Sequence, residues 1–243
     1  MFPISDDDPR GRGLPIVTFL LIAVNALVFL YELTLSQPGL EQLFQTWGVV
    51  PARILNAFSH PGAPGSLQAF LTLITSQFLH MGWLHILGNM LFLYIFGDDI
   101  EALLGAPLYL VFYLVCGIVA GLVQTFVLSQ FTGDVNTAGI GASGAIAGVL
   151  GAYLVCYPNR RITVASPTQA GIARSAVPAV VMLGLWFVQQ LLSGVAAISG
   201  ADASNVGFWA HIGGFVAGVL LVLPFRNRAV STYSGGVRSP YQQ

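Results

Sequence analysis

Lysine is absent from this 243-residue chain, whose nine basic residues are all arginines, and charged residues of both signs make up only 8% of it. An ordinary soluble domain carries roughly 25% charged residues, so water is an unlikely solvent for most of this surface. Ten acidic residues bring the formal net charge to −1, which leaves no basic surface for a nucleic acid. No nucleic-acid partner is expected. Cysteine is scarce too: Cys116 and Cys156 each sit in an apolar run without a second Cys or His at ligand spacing, so both read as small buried hydrophobes rather than as a disulfide or metal site. The first apolar run follows the polar segment Met1 to Gly13 and has no small-residue cleavage site, so it is expected to stay attached as a signal anchor.

Hydrophobic residues make up 55% of the sequence. A hydrocarbon core takes about 20 helical residues to cross, and suitable apolar stretches lie near 14–33, 83–97, 107–128, 142–157, 176–193 and 208–225. These predict an all-α, polytopic membrane protein with six transmembrane helices. Arginines in short loops stay on the cytoplasmic side. Arg10 and Arg12 precede the first run, Arg160, Arg161 and Arg174 separate the fourth and fifth, and Arg226, Arg228 and Arg238 follow the sixth. Six crossings put all eight on one side, with both termini cytoplasmic, and only Arg53 breaks the pattern. The expected organisation is a cytoplasmic N-terminal segment at 1–13, a membrane domain at 14–226 and a disordered cytoplasmic tail at 227–243.

The segment 34–76 is too apolar for a solvated loop, with Leu40, Leu43, Phe44, Trp47, Ile54, Leu55 and Phe58, and is expected to lie in the membrane interface. A small extramembrane cap is the alternative. His60, in a Pro- and Gly-rich stretch, reads as solvated.

Ionisable residues inside membrane helices are functional candidates by default. His85 opens the second run with Asn89 one turn on, Ser143 opens the fourth in Gly141-Ala142-Ser143-Gly144, and His211 opens the sixth. Alternating direction brings these three helix starts to one depth in the outer part of the membrane. A serine hydroxyl becomes a nucleophile when an imidazole takes its proton, which Ser143 and His211 can provide. The oxyanion that follows needs donors, and the unpaired Ser143 backbone N–H, His85 and Asn89 can supply them. No acid lies beside His211 in its run, so a dyad is expected rather than a triad. Gly144 with Gly148, and Gly214 with Gly218, repeat at the four-residue spacing that lets helix backbones approach closely in lipid. Each residue alone has a plainer reading, because membrane serines bond their own helix, helix-mouth histidines are interfacial and Asn89 can simply join two helices. His80 is either an outer helper or interfacial. Asp98, Asp99 and Glu101 are expected to cap the following segment.

With those three motifs in order on the second, fourth and sixth runs, the sequence resembles the rhomboid family of intramembrane serine proteases. The resemblance implies a six-transmembrane-helix rhomboid-like bundle and a Ser143-His211 dyad with an oxyanion hole shared by His85 and Asn89. It also implies cofactor-free endopeptidase activity on transmembrane protein substrates. A multi-pass place in a prokaryotic-type plasma membrane, in contact with the lipid bilayer, completes the expectation. Two features depart from the family pattern: the Trp-Arg pair many members carry in the first loop is missing before Thr75-Ser76-Gln77-Phe78, and Ala147 stands where some members place a tyrosine against the histidine. Support for His211 must then come from elsewhere. The rival readings are a catalytically silent rhomboid-like chaperone or client-binding protein, which the intact polar residues oppose, and a transporter, which would favour midplane acids or broken helices.

Overall fold

Proline and glycine punctuate the apolar runs and thereby set the elements of the computed structural model, which describes residues 2–7, 13–168, 171–200 and 206–229. Strand β1 spans Phe2–Asp6 and helix α1 spans Ile16–Glu32, entered through Pro15. Helices α2 (Gln37–Trp47) and α3 (Pro51–Ser59) each carry proline in the first turn, where its missing N–H costs nothing. Helix α4 (Ser66–Thr75) is followed by a short 3₁₀ turn, Ser76–Phe78, and then by α5 (Trp83–Leu104). A single residue, Gly105 at φ +81°, turns the chain into α6 (Ala106–Val127), which a side chain would resist. The remaining elements are α7 (Ser143–Cys156), β2 (Arg161–Thr168), β3 (Gly171–Pro178), α8 (Ala179–Ile198) and α9 (Phe208–Val222).

Among the described residues, three helical spans are long and apolar enough to cross a membrane: Ala106–Thr132, Ala179–Ile198 and Phe208–Ala229. The pair Ser66–Phe78 and Trp83–Leu104, bent by 83° at its break, qualifies only when taken together, and the apolar helices Ile16–Glu32 and Ser143–Cys156 are shorter. The six apolar runs therefore coincide with six helices, while length and composition alone credit three or four as spans.

The helix-only expectation needs a correction. Strands β1, β2 and β3 form an antiparallel sheet in that order, with Asp6 opposite Ile162 and Arg161 opposite Pro178. The connection between α7 and α8 is thus a hairpin rather than a loop, and its β-branched Ile162 and Val164 point to the protein side, 0% and 1% exposed. Part of the expected N-terminal segment is the third strand of this sheet. Tyr153 on α7 donates a 2.6 Å hydrogen bond to the Asp6 carboxylate, and Arg160 Nη1 lies 2.6 Å from the Asp99 carboxylate, tying the sheet to the helices. Of the tail expected from Asn227, positions 230–243 lie outside the described residues, as do Arg10, Arg12 and Arg238.

Glu101 also differs from expectation. It caps α1 rather than the segment that follows it: its carboxylate accepts the Val17 and Thr18 backbone N–H groups at 2.9 and 2.8 Å and the Thr18 hydroxyl at 2.8 Å. A carboxylate at a helix N-terminus satisfies otherwise orphaned donors and complements the helix dipole. Asp99, another of the three acids expected to cap, instead pairs with Arg160.

The segment 34–76 forms α2, α3 and α4, whose Ile54, Ala57, Ala69 and Leu73 make a satellite core with Val49, while Trp47, Leu55 and Phe58 stay exposed. His60 is exposed as expected. Helix α7 is the centre of the main core, buried continuously from Gly144 to Tyr153. It packs most extensively against α9, then α6 and α5.

Candidate active site

Glycine decides how near α7 and α9 approach. A Cβ on Gly214 would run into the Gly144 carbonyl oxygen, and one on Gly218 into the Gly148 carbonyl oxygen. On the opposite side, Cβ atoms on Gly144 and Gly148 would stand 2.6 Å from Ala120 and 2.5 Å from Cys116 of α6. Gly151, which the sequence spacing did not single out, meets the Phe215 carbonyl in the same way. Backbones this close bring side chains of modest length within hydrogen-bond reach.

Ser143 is the first residue of α7 and His211 the fourth of α9. Ser143 Oγ and His211 Nε2 are 2.8 Å apart. Both are half-buried and face a cavity of about 770 Å³ that His85, Asn89 and Gly141 also line. Gly141, at φ +123°, turns the chain into α7 through a conformation that excludes most side chains, and its Cβ would stand 2.7 Å from His85 Nε2. The Gly141 backbone N–H is held by the Ser76 carbonyl at 2.9 Å, fixing the turn.

His85 Nδ1 accepts the Met81 backbone N–H at 3.4 Å, so a neutral His85 carries its proton on Nε2, the edge turned towards Gly141 and the cavity. Asn89 is 8% exposed, and its Nδ2 has no hydrogen-bond partner among the described residues. A buried, unspent amide donor beside a serine hydroxyl suits an acceptor that arrives with a ligand. All four polar groups expected to converge line this one cavity. His80 joins them indirectly: 1% exposed, it packs edge to face on His85 with ring centres 4.9 Å apart, and its backbone N–H is held by Glu32 at 3.1 Å. It is buried against His85 without lining the cavity.

The structure also supplies what the sequence left open at Ala147, which is buried and lines the cavity. Trp186 of α8 presents its ring to His211 at 6.0 Å and 34°, and Gln190, one turn further, places Oε1 2.8 Å from His211 Nδ1. From α6, Gln124 Oε1 accepts the Ala210 backbone N–H at 3.0 Å and so caps the first turn of α9. The only available signal for either glutamine was a polar amide inside an apolar run. Gln189 and Gln190 are adjacent in sequence, yet the first is exposed and the second buried.

The comparisons with known proteins agree with one another. The family model described as Rhomboid domain matches residues 67–228. The chain is 29% identical over 209 residues to a Bacillus subtilis (strain 168) protein named Rhomboid protease GluP, covering 85% of this chain and 34% of that one. It is 26% identical over 224 residues to Rhomboid-like protein 11, chloroplastic, of Arabidopsis thaliana, covering 88% and 65% respectively. It is also 26% identical over 207 residues to Rhomboid protein 1, mitochondrial, of Saccharomyces cerevisiae, covering 84% and 51%. The chain thus spans from about a third to about two thirds of the length of these relatives. With a family match over well over half its residues, placed on the helices that carry the cavity, this chain belongs to the rhomboid family.

Proposed function

We propose that the chain is an intramembrane serine endopeptidase that hydrolyses peptide bonds within or next to transmembrane segments of other membrane proteins. The observation that carries this reading is the 2.8 Å approach of Ser143 Oγ to His211 Nε2 at the wall of a cavity with unspent donors. In the reaction, His211 Nε2 takes the Ser143 proton as Oγ attacks the scissile carbonyl carbon. The oxyanion meets the Ser143 backbone N–H, His85 Nε2–H and Asn89 Nδ2–H. Collapse of this intermediate breaks the C–N bond, His211 returns the proton to the leaving amine, and an acyl-Ser143 ester remains. Water, deprotonated by the same imidazole, hydrolyses the ester. Removing one donor of this kind lowers kcat by about 10²- to 10³-fold.

The architecture belonging to this reading has six crossings formed by α1, α5, α6, α7, α8 and α9, within a membrane domain at 14–226. Residues 1–13 and 227–243 are cytoplasmic, and the protein resides in the plasma membrane. Arginine placement supports that orientation. The site then opens at the outer end of α5, α7 and α9, where water reaches it.

A fluorophosphonate probe tests the chemistry directly. Labelling at Ser143, lost in Ser143→Ala and in His211→Ala, is the expected result. A folded protein that binds transmembrane segments, neither cuts them nor reacts with the probe, and behaves identically in both variants would be a client-binding relative instead.

A further inference from the structure

A dyad leaves one nitrogen of its imidazole unaccounted for, and in this chain that nitrogen has a partner. Resting on the protease reading above, we propose that Gln190 is the third member of the site, a positioning residue whose side-chain carbonyl holds His211 in the tautomer and orientation that catalysis requires.

The argument starts from burial. Gln190 is 6% exposed and sits on α8 among apolar residues, where an amide left without partners costs about 1 to 3 kcal/mol. Its Oε1 faces His211 Nδ1 at 2.8 Å. A carbonyl only accepts, so this contact is a hydrogen bond only when Nδ1 carries the proton. A neutral imidazole protonated at Nδ1 presents a lone pair at Nε2, and that lone pair faces Ser143 Oγ at 2.8 Å. The chain of bonds therefore has one direction: Ser143 O–H donates to Nε2, and Nδ1–H donates to Gln190. Turning the amide over reverses it, since an amide N–H donating to Nδ1 leaves the proton on Nε2 and the serine proton unclaimed. Only the first arrangement lets His211 act as a base.

Neighbouring contacts support a positioning role. Trp186 lies one turn before Gln190 on the same face of α8, and its ring lies 6.0 Å from the imidazole, so α8 restrains His211 from two directions. Gln124 caps the backbone one residue before His211. When the imidazole becomes cationic during attack, the Gln190 carbonyl dipole stabilises it without placing a permanent anion in the bundle. A buried carboxylate in that position would need its own counter-charge.

The test pairs a spectroscopic and a kinetic readout in the full-length protein. With ¹⁵N-labelled histidine, the His211 signals, assigned by their loss in His211→Ala, are expected to show a proton on Nδ1 and none on Nε2. Gln190→Leu is expected to shift the population towards the Nε2–H form and to lower kcat about 10- to 100-fold, a fraction of what a positioned base supplies, with KM little changed. Gln190→Glu, whose ionised carboxylate can only accept and has the His211 imidazolium formed during attack as its counter-charge, is expected to keep the Nδ1–H form and most of the rate. An Nε2–H tautomer in the wild type overturns the assignment, as does a Gln190→Leu variant with unchanged kcat or a Gln190→Glu variant without rescue. If Gln190→Leu does not fold, the wild-type tautomer and Gln190→Glu decide. The tautomer is independent of cleavage: a protein that holds the Nδ1–H form but neither labels nor cuts removes the protease reading alone, and an active enzyme with the Nε2–H form removes this one alone.

Discussion

The Gly148 carbonyl oxygen of α7 occupies the space where a Cβ on Gly218 of α9 would stand, and Gly144 and Gly214 repeat the relation one turn nearer the cavity. The Ser143 to His211 bond is therefore set by glycine contacts made further along the two helices that carry these residues. Gly218→Ala, two helical turns from His211, is expected to push α9 outward, at about 1 to 3 kcal/mol of overpacking, and to slow fluorophosphonate labelling of Ser143. Gly184→Ala on α8, where an added Cβ meets nothing within 4 Å, is the control and is expected to change neither. Equal labelling rates in the two variants would separate the glycine packing from the site.

The buried pair Arg160 and Asp99, at 3% and 1% exposure, ties the sheet to α5. Asp99→Ala removes the nearer of two carboxylates on Arg160, the Asp6 contact being 3.5 Å, and is expected to destabilise the protein by roughly 3 kcal/mol in thermal unfolding. The double variant Asp99→Leu with Arg160→Met is expected to recover much of that loss. Additive losses would mean that the two side chains do not act as a pair.

These two relationships mark what the sequence made legible and what it did not. The glycine spacing and the polar residues at three helix starts were readable because both are periodic and local. The sheet was not, because β1 pairs with β2 across about 160 intervening residues, and eight-residue strands between arginines look like loop from within the chain. Glu101 was recognisable as a cap, but its partner α1 lies 83 residues away for Thr18. Gln190 was hidden beside Gln189, since only the packing of α8 on α9 decides which amide turns inward.

Asn89 Nδ2 has no hydrogen-bond partner among the described residues, so on the protease reading its removal would leave the resting structure little changed and act on the transition state. Asn89→Ala is expected to fold normally, to lower kcat by about 10²-fold or somewhat less given the other donors, and to leave KM near the wild-type value. A raised KM at unchanged kcat would assign Asn89 to substrate binding instead.

The proposed orientation rests on eight arginines that six proposed crossings would put on one side. Reporter fusions at Asn159 and at the C-terminus are expected to report the cytoplasm, and fusions near Gly62 and Asp202 the exterior, although Asp202 lies outside the described residues. Asn159 and Asp202 in one compartment would refute the six-helix count.

Access to the cavity from lipid points to α8 as the moving part. Only 17% of its most apolar window is buried, against 39% for the corresponding windows of α6 and α9, so few contacts oppose its displacement. One apolar contact that holds it against α9 is Phe187 stacked on Phe215, with ring centres 4.5 Å apart. Positions 201–205, in the connection between α8 and α9, lie outside the described residues. Phe187→Ala is therefore expected to speed cleavage of a reconstituted single-pass substrate more than it speeds labelling by a small soluble probe. The substrate must also unwind, because a helix engages the carbonyl that Ser143 attacks. Gly lowers that cost by about 1 kcal/mol relative to Ala and Pro by about 3, so substrates with Gly or Pro a few residues inside the cut are expected to react faster. Mass spectrometry of the fragments should place the cuts near the substrate's outer end. Cuts in the cytoplasmic half, or rates indifferent to replacing those Gly and Pro residues with Leu, would refute lateral entry followed by local unwinding.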